Sequence, residues 1–103
     1  MQIKEGKAGG ALYIKLSGEM DEYSAQGVRE RCDKLIEQNV NVKKIIINLA
    51  DVAFMDSTGI GFLIGRYKKA ARIGIPLYVE APNLAADKIL SLSGIYSLIP
   101  KAE

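Results

Sequence analysis

The chain has 103 residues, 49% of them hydrophobic and 25% charged, and its 14 basic and 12 acidic side chains leave a net charge of +2. That length and balance fit one ordinary globular domain over residues 1–103, and the scattered charge lacks the clustered basic footprint of a nucleic-acid binder. The absence of histidine removes the commonest general base and the commonest metal ligand together.

The N-terminal "MQIKEGKAGG" lacks the apolar core of a signal peptide. The apolar runs elsewhere are too short to span a bilayer, so the expected location is the cytosol. A short strand near Gln2–Glu5 turns through Gly9-Gly10 into "ALYIKLSGEMD". There Leu12, Ile14 and Leu16 alternate with Tyr13 and Lys15, the pattern of a half-buried strand, here ending at Gly18.

A helix follows over Ser24–Gln38, with Ala25, Val28, Cys32, Leu35 and Ile36 at helical spacing and Ser24 as its cap. The single cysteine, Cys32, has no partner for a disulfide and no histidine to activate it, so it reads as a packed helix residue. "KKIIINL" is a continuous β-branched run, as in a central strand covered on both faces. Seven residues, Ala50–Asp56, then read as a loop before a helix from Ser57 to about Ile73, which Gly74 and Pro76 end. "PLYVEA" is a short strand, Asn83 caps a third helix that Gly94 closes, and "IYSLIP" reads as a last extended piece. Strands alternating with helices predict an α/β layer fold, with sites at the carboxyl ends of the strands.

The stretch "FMDSTGIG" holds the candidate chemistry. Its glycines, with Gly65, miss the dinucleotide fingerprint by one residue, and no P-loop pattern occurs. Ser57 lacks both a histidine and the glycine-flanked elbow of serine hydrolases. Taken alone, Asp-Ser-Thr is a helix cap, worth about 1 kcal/mol. The helical periodicity extends the reading. Ile60, Leu63, Ile64, Tyr67, Ala70 and Ala71 gather on a sheet-facing side. Thr58, Gly61, Phe62, Gly65, Lys69 and Arg72 gather opposite, with Ser57 on the flank. Two glycines in an exposed helix cost on the order of 1 kcal/mol each relative to alanine. That cost makes sense where a partner's backbone lies against Gly61 and Gly65 and Phe62 fills a partner pocket.

"LSGEMD", "IIINLADVAFMDSTGIGFLIGRYKKA" and "LSLSGIYSLI" together resemble the bacterial anti-sigma factor antagonists of the SpoIIAA and RsbV kind, built on the STAS domain. The resemblance covers most of the chain. It implies a single α/β domain, a mixed sheet of about four to five strands with helices chiefly on one face, and no enzymatic activity, cofactor or metal. It also implies that the unphosphorylated form binds an anti-sigma factor that is a serine kinase, freeing a sigma factor. Phosphorylation of Ser57 then abolishes binding, and a serine phosphatase resets the protein, with no direct DNA, RNA or membrane contact. The implied partner-binding residues are Asp21, Asp56, Ser57, Thr58, Gly59, Gly61, Phe62 and Gly65. Thr58 stands where a second serine is common, and Glu22-Tyr23 replaces residues that in relatives are often histidine or polar. The chain ends at Glu103, where many relatives continue into a final amphipathic helix. The alternative is a STAS module serving another signalling scaffold or a lipid-transport complex.

Overall fold

The computed structural model describes residues 1–102. β1 (Gln2–Ala8) and β2 (Ala11–Met20) form an antiparallel hairpin. α1 (Glu22–Glu37) crosses over to β3 (Lys44–Met55), which lies parallel to β2. α2 (Ser57–Arg72) crosses to β4 (Leu77–Glu80), parallel to β3, and α3 (Leu84–Ser93) leads into a 3-10 turn at Ile95–Ser97. The sheet order is β1-β2-β3-β4, so the expected mixed α/β architecture is present with four strands.

The burial follows the sheet's two faces. Leu12, Ile14, Leu16, Ile45, Ile47 and Leu49 point into a core shared with the helices. Tyr13, Lys15, Asn48, Tyr78 and Glu80 stand on the other face, half-buried or exposed. Ile46 is nonetheless buried there, in register between Tyr13 and Tyr78. That is why an uninterrupted apolar run occupies a strand whose outer face, among the described residues, carries no helix.

Two expected loops are strand. β2 runs past Gly18 to Met20, and β3 runs to Met55, because Ser17–Met20 keep pairing with residues 51–55 through two register shifts. Gly18 permits this with φ +110, a backbone shape that side chains resist. Only Asp56 therefore separates β3 from α2, where seven residues were expected. The helix tip sits on the strand end, whereas a seven-residue loop would have held it too far from the sheet edge for a dinucleotide's tight turn, so that objection to a dinucleotide site is gone. Gly59 supplies another objection: a Cβ there would lie 2.5 Å from Met55 Cγ, so this glycine serves the packing of the helix on its own strand.

The N-cap of α1 is Asp21, not Ser24. Ser24 N–H donates to Asp21 Oδ1 at 2.8 Å, and the helix starts two residues before Ser24. The expected extended piece "IYSLIP" is the 3-10 turn. The extended backbone comes just after it, where Val79 N–H donates to Pro100 O at 3.0 Å and Ala102 N–H donates to Val79 O at 2.7 Å. Asn83 and Gly94 cap α3 as expected, with Ala86 N–H on Asn83 Oδ1 at 2.8 Å and Gly94 in the left-handed region at φ +78.

The largest correction concerns α2. Its buried residues are Gly59, Phe62, Leu63, Arg66 and Ala70. Ile60, Ile64 and Tyr67 are only half-buried, and Ala71 is exposed. The helix is turned by roughly one residue's angle, about 100°, from the face expected. Packing against α1 explains the turn. Phe62 is 2% exposed, Arg66 lies over its ring at 4.8 Å, and the Arg66 guanidinium Nε is 2.7 Å from Asp33 Oδ1. Lys69 pairs with Glu37 on the same seam. A helix face judged by apolarity alone cannot anticipate an arginine going inward with its own counter-ion.

Candidate functional site

The site is built by two strand ends. Met20 and Met55 are paired positions on adjacent parallel strands, about 4.8 Å apart. Each is followed at once by an aspartate that caps a helix. Asp21 Oδ1 accepts from Ser24 N–H, and Asp56 Oδ1 accepts from Thr58 N–H, both at 2.8 Å. Asp56 N–H also donates to Met20 O at 3.4 Å, tying one cap to the strand that carries the other. The Ser24 N–H bond holds the Asp21 carboxyl below the usual carboxylate range. Two carboxylates and two helix N-termini thus share one end of the sheet, where the helices' partial positive charge offsets the acids.

Ser57 is the first residue of α2 and is exposed. On the helix it lines up with Gly61, Lys68 and Arg72, the exposed stripe opposite the buried one. Ile60 and Ile64 border that stripe, half-buried. A Cβ at Gly61 or Gly65 would meet nothing within 4 Å, so neither glycine is required by the fold's own packing. The first turn of α2 has no acidic residue, and the first basic residue along the helix is Arg66, which is turned inward to Asp33.

Among the expected contact residues, Ser57 and Gly61 are exposed, while Asp21, Asp56, Thr58 and Gly65 are partly so. Phe62 does not belong with them, because its ring is in the core beneath Arg66 and cannot fill a partner pocket. Gly59 is also buried, against Met55. The structure adds two large apolar side chains beside the caps. Tyr23, in the first turn of α1, is 88% exposed, and Phe54, two residues before Asp56, is 50% exposed. The clue to Phe54 lies in strand alternation, since a residue next to an inward Met55 must face the other way. Reading Ala50–Asp56 as loop concealed it.

The family model of the STAS domain matches residues 3–102. The anti-sigma F factor antagonist of Paenibacillus polymyxa is 32% identical over 100 residues, covering 97% of this chain and 85% of that protein. The anti-sigma-B factor antagonist of Bacillus subtilis (strain 168) is 32% identical over 88 residues, covering 85% of this chain and 78% of that protein. The chain belongs to the STAS domain family, among the relatives of the anti-sigma factor antagonists. Its fold is that of the anti-sigma factor antagonist SpoIIAA in its unphosphorylated form, with a TM-score of 0.79 at 24% identity over 99% of this chain and 89% of that one.

Proposed function

We propose that the protein is an anti-sigma factor antagonist worked by a phosphate switch at Ser57. In this reading the unphosphorylated form docks an anti-sigma factor with serine kinase activity, so that a sigma factor is freed. The kinase then modifies Ser57, the complex separates, and a serine phosphatase restores the hydroxyl. All of this takes place in the cytoplasm, and the protein itself catalyses nothing. The observation that carries the reading is an exposed Ser57 at the head of an α2 stripe opened by Gly61. The likeness to named antagonists supports it.

The physics of the switch is local. A phosphate adds about −1.5 to −2 charges. At the first turn of a helix such charge is favoured by roughly 0.3–1 kcal/mol, while Asp56 and Asp21 oppose it. These effects nearly cancel within the domain, so the fold remains as it is. At a docked interface the same dianion must lose its water beside two carboxylates. On α2 no basic residue precedes Arg66, and that one is committed to Asp33.

The test incubates the protein with candidate anti-sigma kinases of the same genome and ATP, followed by mass spectrometry. Phosphate is expected on Ser57 alone. Ser57→Ala is expected to stay bound in the presence of ATP, and Ser57→Asp to bind poorly. A phosphate at another residue, or release of Ser57→Ala by ATP, overturns the reading.

A further inference from the structure

Two faces of α2 compete for the core. Ile60, Leu63, Ile64, Tyr67 and Ala71 form the more apolar one, roughly 100° round the helix from the face that is buried. The observed inward face holds Phe62 and Arg66, and leaves Ile60, Ile64 and Tyr67 half-buried and Ala71 exposed. Apolar burial alone does not choose this rotation, since each half-covered side chain forgoes part of its transfer energy.

A charge pair between the helices chooses it. Arg66 is 6% exposed, its Nε lies 2.7 Å from Asp33 Oδ1 on α1, and its guanidinium covers the Phe62 ring. The second rung, Lys69 with Glu37, is more exposed and contributes less. The buried pair is a poor source of stability. Arg66 Nη1 is buried with no hydrogen-bond partner among the described residues. Burial draws the guanidinium pKa down against the opposing pull of Asp33. A pair so dry and so incompletely bonded returns little beyond its desolvation cost. What it supplies is direction. A turn of about 100° in a helix roughly 5 Å in radius moves a side-chain tip by about 8 Å. The rotation that would satisfy the apolar face therefore breaks the contact with Asp33.

Rotation also decides what faces outward. Ser57, Gly61 and Lys68 now lie in line opposite the buried face. With Ile60, Ile64 and Tyr67 inward, that line would be Phe62, Gly65 and Lys69, and Ser57 would move to its flank. We propose that Arg66 acts through Asp33 as a positioning residue, fixing the rotation of α2 so that Ser57 stands at the centre of the face offered to a partner. The partner's identity here rests on the switch proposed above. Buried polar groups in helix seams fix register in this way without adding stability.

The experiment compares wild type with Asp33→Ala/Arg66→Met, which removes both charges, and with the exchanged pair Asp33→Arg/Arg66→Asp. The isotope-labelled full chain is titrated with a soluble gadolinium chelate, whose relaxation enhancement in NMR reads exposure residue by residue. In wild type the Phe62 ring is expected to relax weakly and Ala71 strongly. In the uncharged pair relaxation is expected to rise at Phe62 and fall at Ala71, with an unfolding midpoint close to wild type. The exchanged pair is expected to restore the wild-type pattern. With the anti-sigma kinase, the KM for phosphorylation of Ser57 is expected to rise about tenfold in the uncharged pair at little change in kcat, and to return in the exchanged pair. A wild-type relaxation pattern in the uncharged pair, a folded exchanged pair that does not restore it, or an unchanged KM despite a turned helix overturns the proposal. The relaxation pattern needs no partner, so it holds or fails separately from the function proposed above.

Discussion

Phe62→Ala and Gly61→Ala are neighbours in sequence with opposite expected effects. Phe62 is 2% exposed, packed between the core and the Arg66 guanidinium. Emptying such a site costs about 3–5 kcal/mol, against a total stability of about 5–15 kcal/mol for a domain of this kind. With a urea slope near 1.3 kcal/mol per M, a loss of about 4 kcal/mol lowers the unfolding midpoint by about 3 M. Gly61 is exposed and a methyl there meets nothing within 4 Å. Alanine is therefore expected to raise stability by about 1 kcal/mol, moving the midpoint up by about 0.8 M. Urea unfolding followed by far-UV circular dichroism reads both. A Phe62→Ala cost below about 1 kcal/mol, or a Gly61→Ala cost greater than that of Phe62→Ala, refutes the inward orientation of Phe62 on α2.

Three further outcomes are expected. Asp56→Ala removes the acceptor for Thr58 N–H and is expected to cost about 1 kcal/mol in the same assay. Asp33→Ala leaves the buried Arg66 charge without its counter-ion and is expected to cost about 3 kcal/mol, most of it recovered in Asp33→Ala/Arg66→Met. Burial pushes the Cys32 thiol up from 9.0 to about 12, so native protein is expected to resist a thiol reagent at pH 8 and react once unfolded. The folded state holds this proton more tightly than the unfolded one. Its stabilising contribution is therefore complete below pH 9 and is lost as pH rises from 9 towards 12, which unfolding measured across that range would show.

The elements were legible where one signal decided them. Leu12, Ile14 and Leu16 alternate and are buried; Asn83 caps and Gly94 stops α3. Ala50–Met55 escaped because the pairing that makes them strand is long-range, with Ser17–Met20, and passes through irregular register. "IYSLIP" has strand composition, yet Gly94 at φ +78 turns the chain so that Ile95–Ser97 tighten into a 3-10 turn. At the site, "MDST" announced the cap, and Asp21 entered through the resemblance. What periodicity missed was the turn of α2, because Phe62 looks like a waste on one face and Arg66 looks like a surface residue on the other. Their contact with each other and with Asp33 settles both positions, and no pattern within one helix contains that information.

The strap over β4 has a consequence for the molecule in company. Growth of a sheet by edge addition needs two reactive ends on every unit, as a polymer needs a bifunctional monomer. Here Pro100 and Ala102 occupy one end through Val79. The Tyr96 hydroxyl and the Lys101 ammonium hold the strap down on Asp87, at 2.5 and 3.1 Å. Among the described residues the sheet edge left unpaired is that of β1, which gives each folded molecule a valence of one in strand pairing. Edge addition can therefore proceed by one strand, along β1, and stop there, where a sheet with both edges bare would propagate into a fibre.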